Sequence, residues 1–230
     1  MTTETSPLTT RHIVVDGVWL AGDIVAPTGA TGIVAFAHGS GSSRFSRRNR
    51  FVAAALNEAG LATLLIDLLT PDEEEVDQIS GELRFDIALL ARRMTAVVDA
   101  TAQDAELRTL RIGLFGASTG AAAALIAAAD RPELVHAVVS RGGRPDLAGD
   151  ALERVKAPTL LIVGGADEEV LALNWSALRR LATPTREMQI VPGATHLFEE
   201  HGALGRVAVL ASAWFERHLG RSTSELPRVI

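Results

Sequence analysis

The sequence predicts an α/β fold: a mostly parallel, twisted sheet with helices on both faces and no large cap domain. Three observations predict it. Short, continuous apolar runs at residues 33–37, 62–66, 111–115, 135–140 and 159–163 suit strands buried on both faces. They alternate with segments of helical character at 47–59, 83–103, 119–129, 171–181 and 202–219, and such alternation folds as a parallel sheet with its crossovers packed on either side. Small and polar residues gather just after the strands, where parallel sheets collect functional groups.

The elements follow in order. Residues 1–10 read as a flexible lead, 11–220 as one domain and 221–230 as a loosely held tail. Segments 11–15 and 18–26 are β-rich and separated by Asp16-Gly17, a hairpin signal. Strand 33–37 runs into His38-Gly39-Ser40-Gly41-Ser42-Ser43. Helix 47–59 has Phe51, Val52, Ala55, Leu56 and Ala59 at helical spacing and Gly60 as its stop. Strand 62–66 ends at Asp67, and the pattern then lapses over 68–82, an acidic loop expected to lie over the strand ends, with its charged run 72–77 solvated. One helix is expected over 83–103, with Phe85, Ala88, Leu89, Met94 and Val97 inward and its charged residues outward. Strands 111–115, 135–140 and 159–163 follow with their helices, and 186–191 is the last strand. The irregular stretches 68–82 and 141–150 are too short for a folded cap.

Composition narrows the function classes. The hydrophobic fraction of 47% supplies a core. A net charge of -6 argues against a phosphate-backbone binder, so no nucleic-acid partner is expected. The chain has no cysteine, which excludes disulfides, thiolate zinc sites and a thiol nucleophile. No metal or other cofactor is expected. Apolar runs break well before about 18 residues, so no membrane span is expected. The first ten residues lack a basic and an apolar export region, which gives a cytoplasmic expectation by default. Oligomeric state is left open, self-association included.

The chemistry centres on Gly116-Ala117-Ser118-Thr119-Gly120, a G-x-S-x-G between a buried strand and a run of strong helix formers. Such a turn exposes a serine as a nucleophile; the plainer alternative is a serine capping the helix. A serine hydroxyl needs a base, and the base an orienting acid. Asp167, in Gly164-Gly165-Ala166-Asp167 after strand 159–163, supplies the acid, with Glu168 and Glu169 as near neighbours. His196, in the Gly193-Ala194-Thr195-His196 loop after the last strand, supplies the base. His12, His136, His201 and His218 read as surface or structural, and His38 as a loop histidine bonding backbone to hold its turn. Asp67 reads as a cap or a partner of local backbone. An oxyanion needs preset N–H donors, and those of Thr119 and Ser40 are nominated. The Gly/Ser loop carries neither a phosphate-loop ending nor G-x-G-x-x-G, so a nucleotide site is not expected. Arg141 and Arg144 follow a strand and either meet a substrate carboxylate or stand in solvent.

With those motifs in place, the sequence resembles the α/β-hydrolase superfamily, and within it the dienelactone hydrolase-related group. The ordered motifs at residues 38–42, 116–120, 164–167 and 193–196 carry the resemblance over residues 33–200. It implies nucleophile Ser118, acid Asp167 and base His196, and acyl transfer from a small ester, thioester or lactone to water. True dienelactone hydrolases use a cysteine nucleophile, and this chain has serine there. An aspartate nucleophile, needed for epoxide or dehalogenase chemistry, is absent from the turn. Two other readings stay open: a catalytically silent binding module of this fold, and an acyltransferase using the same triad.

Overall fold

The computed structural model describes residues 8–15 and 17–220. Eight strands form one sheet: β1 (Thr9–Val15), β2 (Val18–Val25), β3 (Gly32–Ala37), β4 (Ala62–Ile66), β5 (Arg111–Ala117), β6 (Val135–Arg141), β7 (Thr159–Gly164) and β8 (Arg186–Val191). Their order is β1-β2-β4-β3-β5-β6-β7-β8. β2 is antiparallel to β1 and β4, and every later pairing is parallel. The expected α/β fold is observed. β1 starts at Thr9, inside the expected flexible lead, because Thr9 and Thr10 pair with Ile24 and Asp23. The rest of that lead, apart from Leu8, the hairpin residue Asp16 and the tail 221–230 lie outside the described residues.

The helices are α1 (Arg47–Glu58), α2 (Pro71–Ser80), α3 (Ile87–Gln103), α4 (Thr119–Asp130), α5 (Glu168–Arg180) and α6 (Ala203–Leu219). Strand residues alternate between two apolar layers. Ile33, Ala35 and Ala37 of β3 join the layer of α3, α4 and α5, whereas Val34 and Phe36 join that of α1 and α6. Phe36 stacks against Phe115 of β5 at a ring separation of 4.8 Å. Burying each ring contributes about 2–3 kcal/mol. Among the described residues no helix is long and apolar enough to cross a membrane.

Several expectations are corrected, most of them between β4 and β5. Residues 71–80 form helix α2 where a loop was expected. Thr70 and Glu73 make a reciprocal capping box, with Pro71 in the first turn and Gly81 closing the end at φ 69°. The expected single helix 83–103 is a 3₁₀ turn (Leu83–Phe85) followed by α3, which Asp86 caps by accepting from the Leu89 amide at 2.9 Å. Phe85 is therefore exposed rather than inward. Phe51 of α1 is exposed too, and Ala53 takes its place in the core. Arg93 is buried rather than outward: it donates to Glu73 through two 2.6 Å bonds and to the Leu68 carbonyl. That guanidinium holds the Glu73 carboxyl below its usual pKa.

The strand order places the site. The chain steps from β3 outward to β4, then returns past β3 to β5. The loops after β3 and β5 thus diverge from neighbouring strand ends, and a crevice opens between them.

Candidate active site

Ser118 sits between β5 and α4 with φ 50° and ψ -123°. A non-glycine residue there stores about 1–3 kcal/mol of strain, so its surroundings must hold it. Its carbonyl accepts from the amides of Ala121 (3.1 Å) and Arg144 (3.0 Å). A side chain at Gly116 would stand 2.4 Å from the Ala121 Cα, and one at Gly120 2.3 Å from the Ala37 carbonyl oxygen. Both positions therefore need glycine for the turn to close. Ser118 stands at the N-cap of α4, yet its hydroxyl makes no capping bond. The hydroxyl instead lies 3.3 Å from Nε2 of His196.

His196 lies in the loop after β8. Gly193 turns that loop at φ 71°, and Phe198, itself at φ 57°, buries its ring in the core as an anchor. Glu200 accepts from the Thr195 amide (3.0 Å) and hydroxyl (2.5 Å), fixing the residue before the histidine. Asp167 heads α5, and its carboxylate leaves the helix uncapped. It lies 2.8 Å from Nδ1 of His196. That contact makes Nδ1 the donor and leaves Nε2 free to accept from the serine. The loops meet because Gly164 has no side chain: a Cβ there would stand 2.3 Å from the Ala194 carbonyl oxygen. The structure thus brings together Ser118, His196 and Asp167, the three residues nominated by the sequence.

The oxyanion candidates are adjacent. Thr119 is the first residue of α4, where no carbonyl one turn back exists for its N–H. Ser40 and Ser118 line one cavity of about 190 Å³, with His196, Arg48, Asn49 and Arg141 among its other walls. A side chain at Gly39 would come within 3.0 Å of the Ser118 Cβ, so the Gly/Ser loop passes directly beside the serine. A larger space of about 440 Å³ borders the same loop at Gly41 and Ser43, with Asp67, Glu74 and His12 among its other walls.

His38 holds this loop. Its Nε2 accepts from the Leu68 amide at 3.0 Å, so Nδ1 carries the proton donated to the Gly39 carbonyl at 3.0 Å. Burial lowers its pKa below the ordinary histidine value. Stability follows with a definite sign. As pH falls through that ordinary value, the unfolded chain gains a proton the folded imidazole resists, and stability drops. Urea unfolding from about pH 7 to about pH 5 is expected to show this loss. His38→Gln should flatten the slope by up to about 1.4 kcal/mol per pH unit while lowering stability throughout. An unchanged slope would refute the role.

Asp67 accepts from the Arg44 amide at 2.6 Å and pairs with the Arg44 guanidinium, so it bonds backbone 23 residues away rather than local chain. Arg144 is tied to Asp146 at 2.8 and 2.9 Å and is not a site residue. Arg141 is buried. It donates to Asn49 Oδ1 at 3.3 Å, lies 5.8 Å from the Phe198 ring centre and has no carboxylate partner among the described residues. Burial, with the like charge of Arg48, lowers its pKa to about 10. Sequence reasoning missed Arg48, Asn49, Phe198 and Glu200. No periodicity marks them, because they support the site from loops and from the first turn of a helix.

Residues 20–219 match the model of the family described as the dienelactone hydrolase family. A crystal structure of a dienelactone hydrolase from Anabaena variabilis is 58% identical, with a TM-score of 0.91 over 92% of this chain and 98% of that one. A Mycobacterium tuberculosis protein named "Putative phosphoribosyl transferase" is 55% identical over 209 residues. That match covers 90% of this chain and 46% of the relative, so the chain spans about half the length of that protein. A Bradyrhizobium protein named "Probable 2-oxo-3-(5-oxofuran-2-ylidene)propanoate lactonase" is 31% identical over 65% of this chain and 67% of its own.

Proposed function

Since the chain belongs to the dienelactone hydrolase family and has the α/β-hydrolase fold, we propose that it is a serine hydrolase of small esters, thioesters or lactones. One observation carries the reading. The Ser118 hydroxyl, unused as a helix cap, faces His196 Nε2 at 3.3 Å while His196 Nδ1 meets Asp167 at 2.8 Å. In the first step His196 takes the Ser118 proton as the serine oxygen attacks the acyl carbon. Asp167 keeps the imidazole oriented and stabilises its charged form. The Thr119 and Ser40 amides receive the oxyanion. The leaving oxygen or sulfur takes the proton back from His196 and departs. Water then repeats the sequence on the acyl-enzyme and frees Ser118.

The small cavity beside Ser118 favours short acyl groups. The Bradyrhizobium relative's name supports lactones within the range. The name of the mycobacterial relative belongs to a protein of which this chain matches less than half. Displacement at a sugar carbon has no use for a serine–histidine relay, so we do not carry that activity over. An acyltransferase would use the same relay, with an alcohol or amine in place of water.

A fluorophosphonate probe tests the reading. It should label the protein at one position, and peptide mapping should place the adduct on Ser118. A folded protein that resists the probe, or carries it elsewhere, would refute the assignment and favour a silent binding module. Esters, thioesters and lactones run in parallel, with and without a competing alcohol, then sort substrate and acceptor.

A further inference from the structure

Asn174 is fully buried in α5, about two helical turns after Asp167. Asparagine is a poor helix former and its burial is costly, so neither helix stability nor packing asks for it there. With Val170 and Ala177 it makes up the buried face of α5. Its amide nitrogen donates to the Val170 carbonyl at 2.8 Å and, across to the loop after β6, to the Gly143 carbonyl at 3.0 Å. Its Oδ1 has no partner among the described residues, so the side chain serves there as a donor alone. The loop that it holds, residues 141–144, borders both the serine and the histidine. The Arg144 amide donates to the Ser118 carbonyl at 3.0 Å, and the Ser118 amide to the Arg141 carbonyl at 3.4 Å. A Cβ on Gly142 would stand 3.1 Å from the His196 carbonyl oxygen. A Cβ on Gly143 would stand 2.5 Å from that of Ala121, in the first turn of α4.

We propose that Asn174 is a positioning residue for the nucleophile: it clamps residues 141–144 to the helix headed by Asp167, and so holds the acid, the histidine loop and the strained serine turn in one register. Ser118 keeps φ 50° only while its surroundings hold it, and one of the bonds to its carbonyl comes from Arg144, the residue after Gly143. Without the clamp the loop shifts away from α5, the turn relaxes, and the hydroxyl moves off His196 Nε2. A misplacement of about 1 Å costs on the order of 10²-fold in rate. Asn174 touches no reacting atom, so its effect falls on turnover rather than on substrate binding. The inference rests on reading Ser118, His196 and Asp167 as the catalytic triad.

Two variants and a control test it. Asn174→Leu removes both bonds at nearly constant volume, whereas Asn174→Ser keeps a donor that bends back to Val170 but is too short for Gly143. Both should lower kcat for p-nitrophenyl butyrate by about ten- to hundredfold with KM within about twofold of the parent. Both should slow fluorophosphonate labelling of Ser118 by the same factor. Phe215→Leu is the control: it trims a buried ring beside Gly113, toward the start of β5, and lowers the urea midpoint without touching the loop. It should keep kcat and the labelling rate within about twofold of the parent. A folded asparagine variant that turns over at the parent's kcat overturns the proposal, and if the leucine variant does not fold the serine variant decides alone. An equal loss of kcat in Phe215→Leu also overturns it, because the effect would then be one of general stability. A parent that the probe leaves unlabelled removes the hydrolase reading and the positioning role with it. A labelled parent with unchanged asparagine variants removes only the positioning role.

Discussion

Ser118→Ala is expected to lower kcat for p-nitrophenyl butyrate by about 10⁴-fold or more, with little change in KM or in the urea midpoint. The rate effect follows from the mechanism: without the oxygen there is no acyl-enzyme, and only the oxyanion donors and binding contacts remain to assist water. The small effect on stability follows from the hydroxyl's contacts. It caps no helix bond, and its one partner among the described residues is a partly exposed imidazole at 3.3 Å. Strain separates this prediction from a general disturbance of the turn. Alanine keeps the cost of φ 50°, whereas glycine enters that region freely. Ser118→Gly should therefore be as inactive as Ser118→Ala but more stable by up to about 1 kcal/mol. Stopped-flow or steady-state hydrolysis with matched unfolding curves reads both quantities. An alanine variant retaining kcat within about tenfold of the parent would remove Ser118 from the mechanism.

The sequence was legible where burial was two-sided and where chemistry followed strands. β3 and β5 read as strands because neither face meets water, so their apolar runs are continuous. Ser118, Asp167 and His196 could be nominated because each follows its own strand, and the parallel sheet carries those ends to one edge. Helix α2 was missed for the opposite reason. Its sole fully buried residue is Asp77, which bonds the Arg84 amide and guanidinium at 2.9 and 2.6 Å. A helix held by capping and ion pairs has no apolar stripe. The available signal was Thr70-Pro71-Asp72-Glu73, a capping box with proline in the first turn. Arg93 was assigned outward because it is charged, and only the position of Glu73, 20 residues away, makes its burial tolerable. Arg141 and Arg144 stood as equals in the sequence. Asp146 neutralises Arg144, while among the described residues no carboxylate pairs with Arg141, a distinction that loop geometry creates.

The second large effect is on folding. Gly120→Ala is expected to destabilise the protein by about 3 kcal/mol or more and to cost activity along with it. The added methyl would stand 2.3 Å from the Ala37 carbonyl oxygen and 2.4 Å from that of His38. Both are backbone atoms, so no rotamer change relieves the contact. α4 must back away from the end of β3, or the β3 loop must move, and that loop carries Ser40 beside Ser118. Helix propensity alone argues the other way, since alanine is favoured over glycine inside a helix by about 1 kcal/mol. Gly205 supplies the control. It lies in α6, and a Cβ built there meets nothing within 4 Å. Gly205→Ala should therefore stabilise by up to about 1 kcal/mol and leave ester turnover unchanged. Urea midpoints for the two variants should move in opposite directions. If Gly120→Ala were as stable as the parent, the close approach of α4 to β3 would be wrong, and with it the support argued for the strained serine.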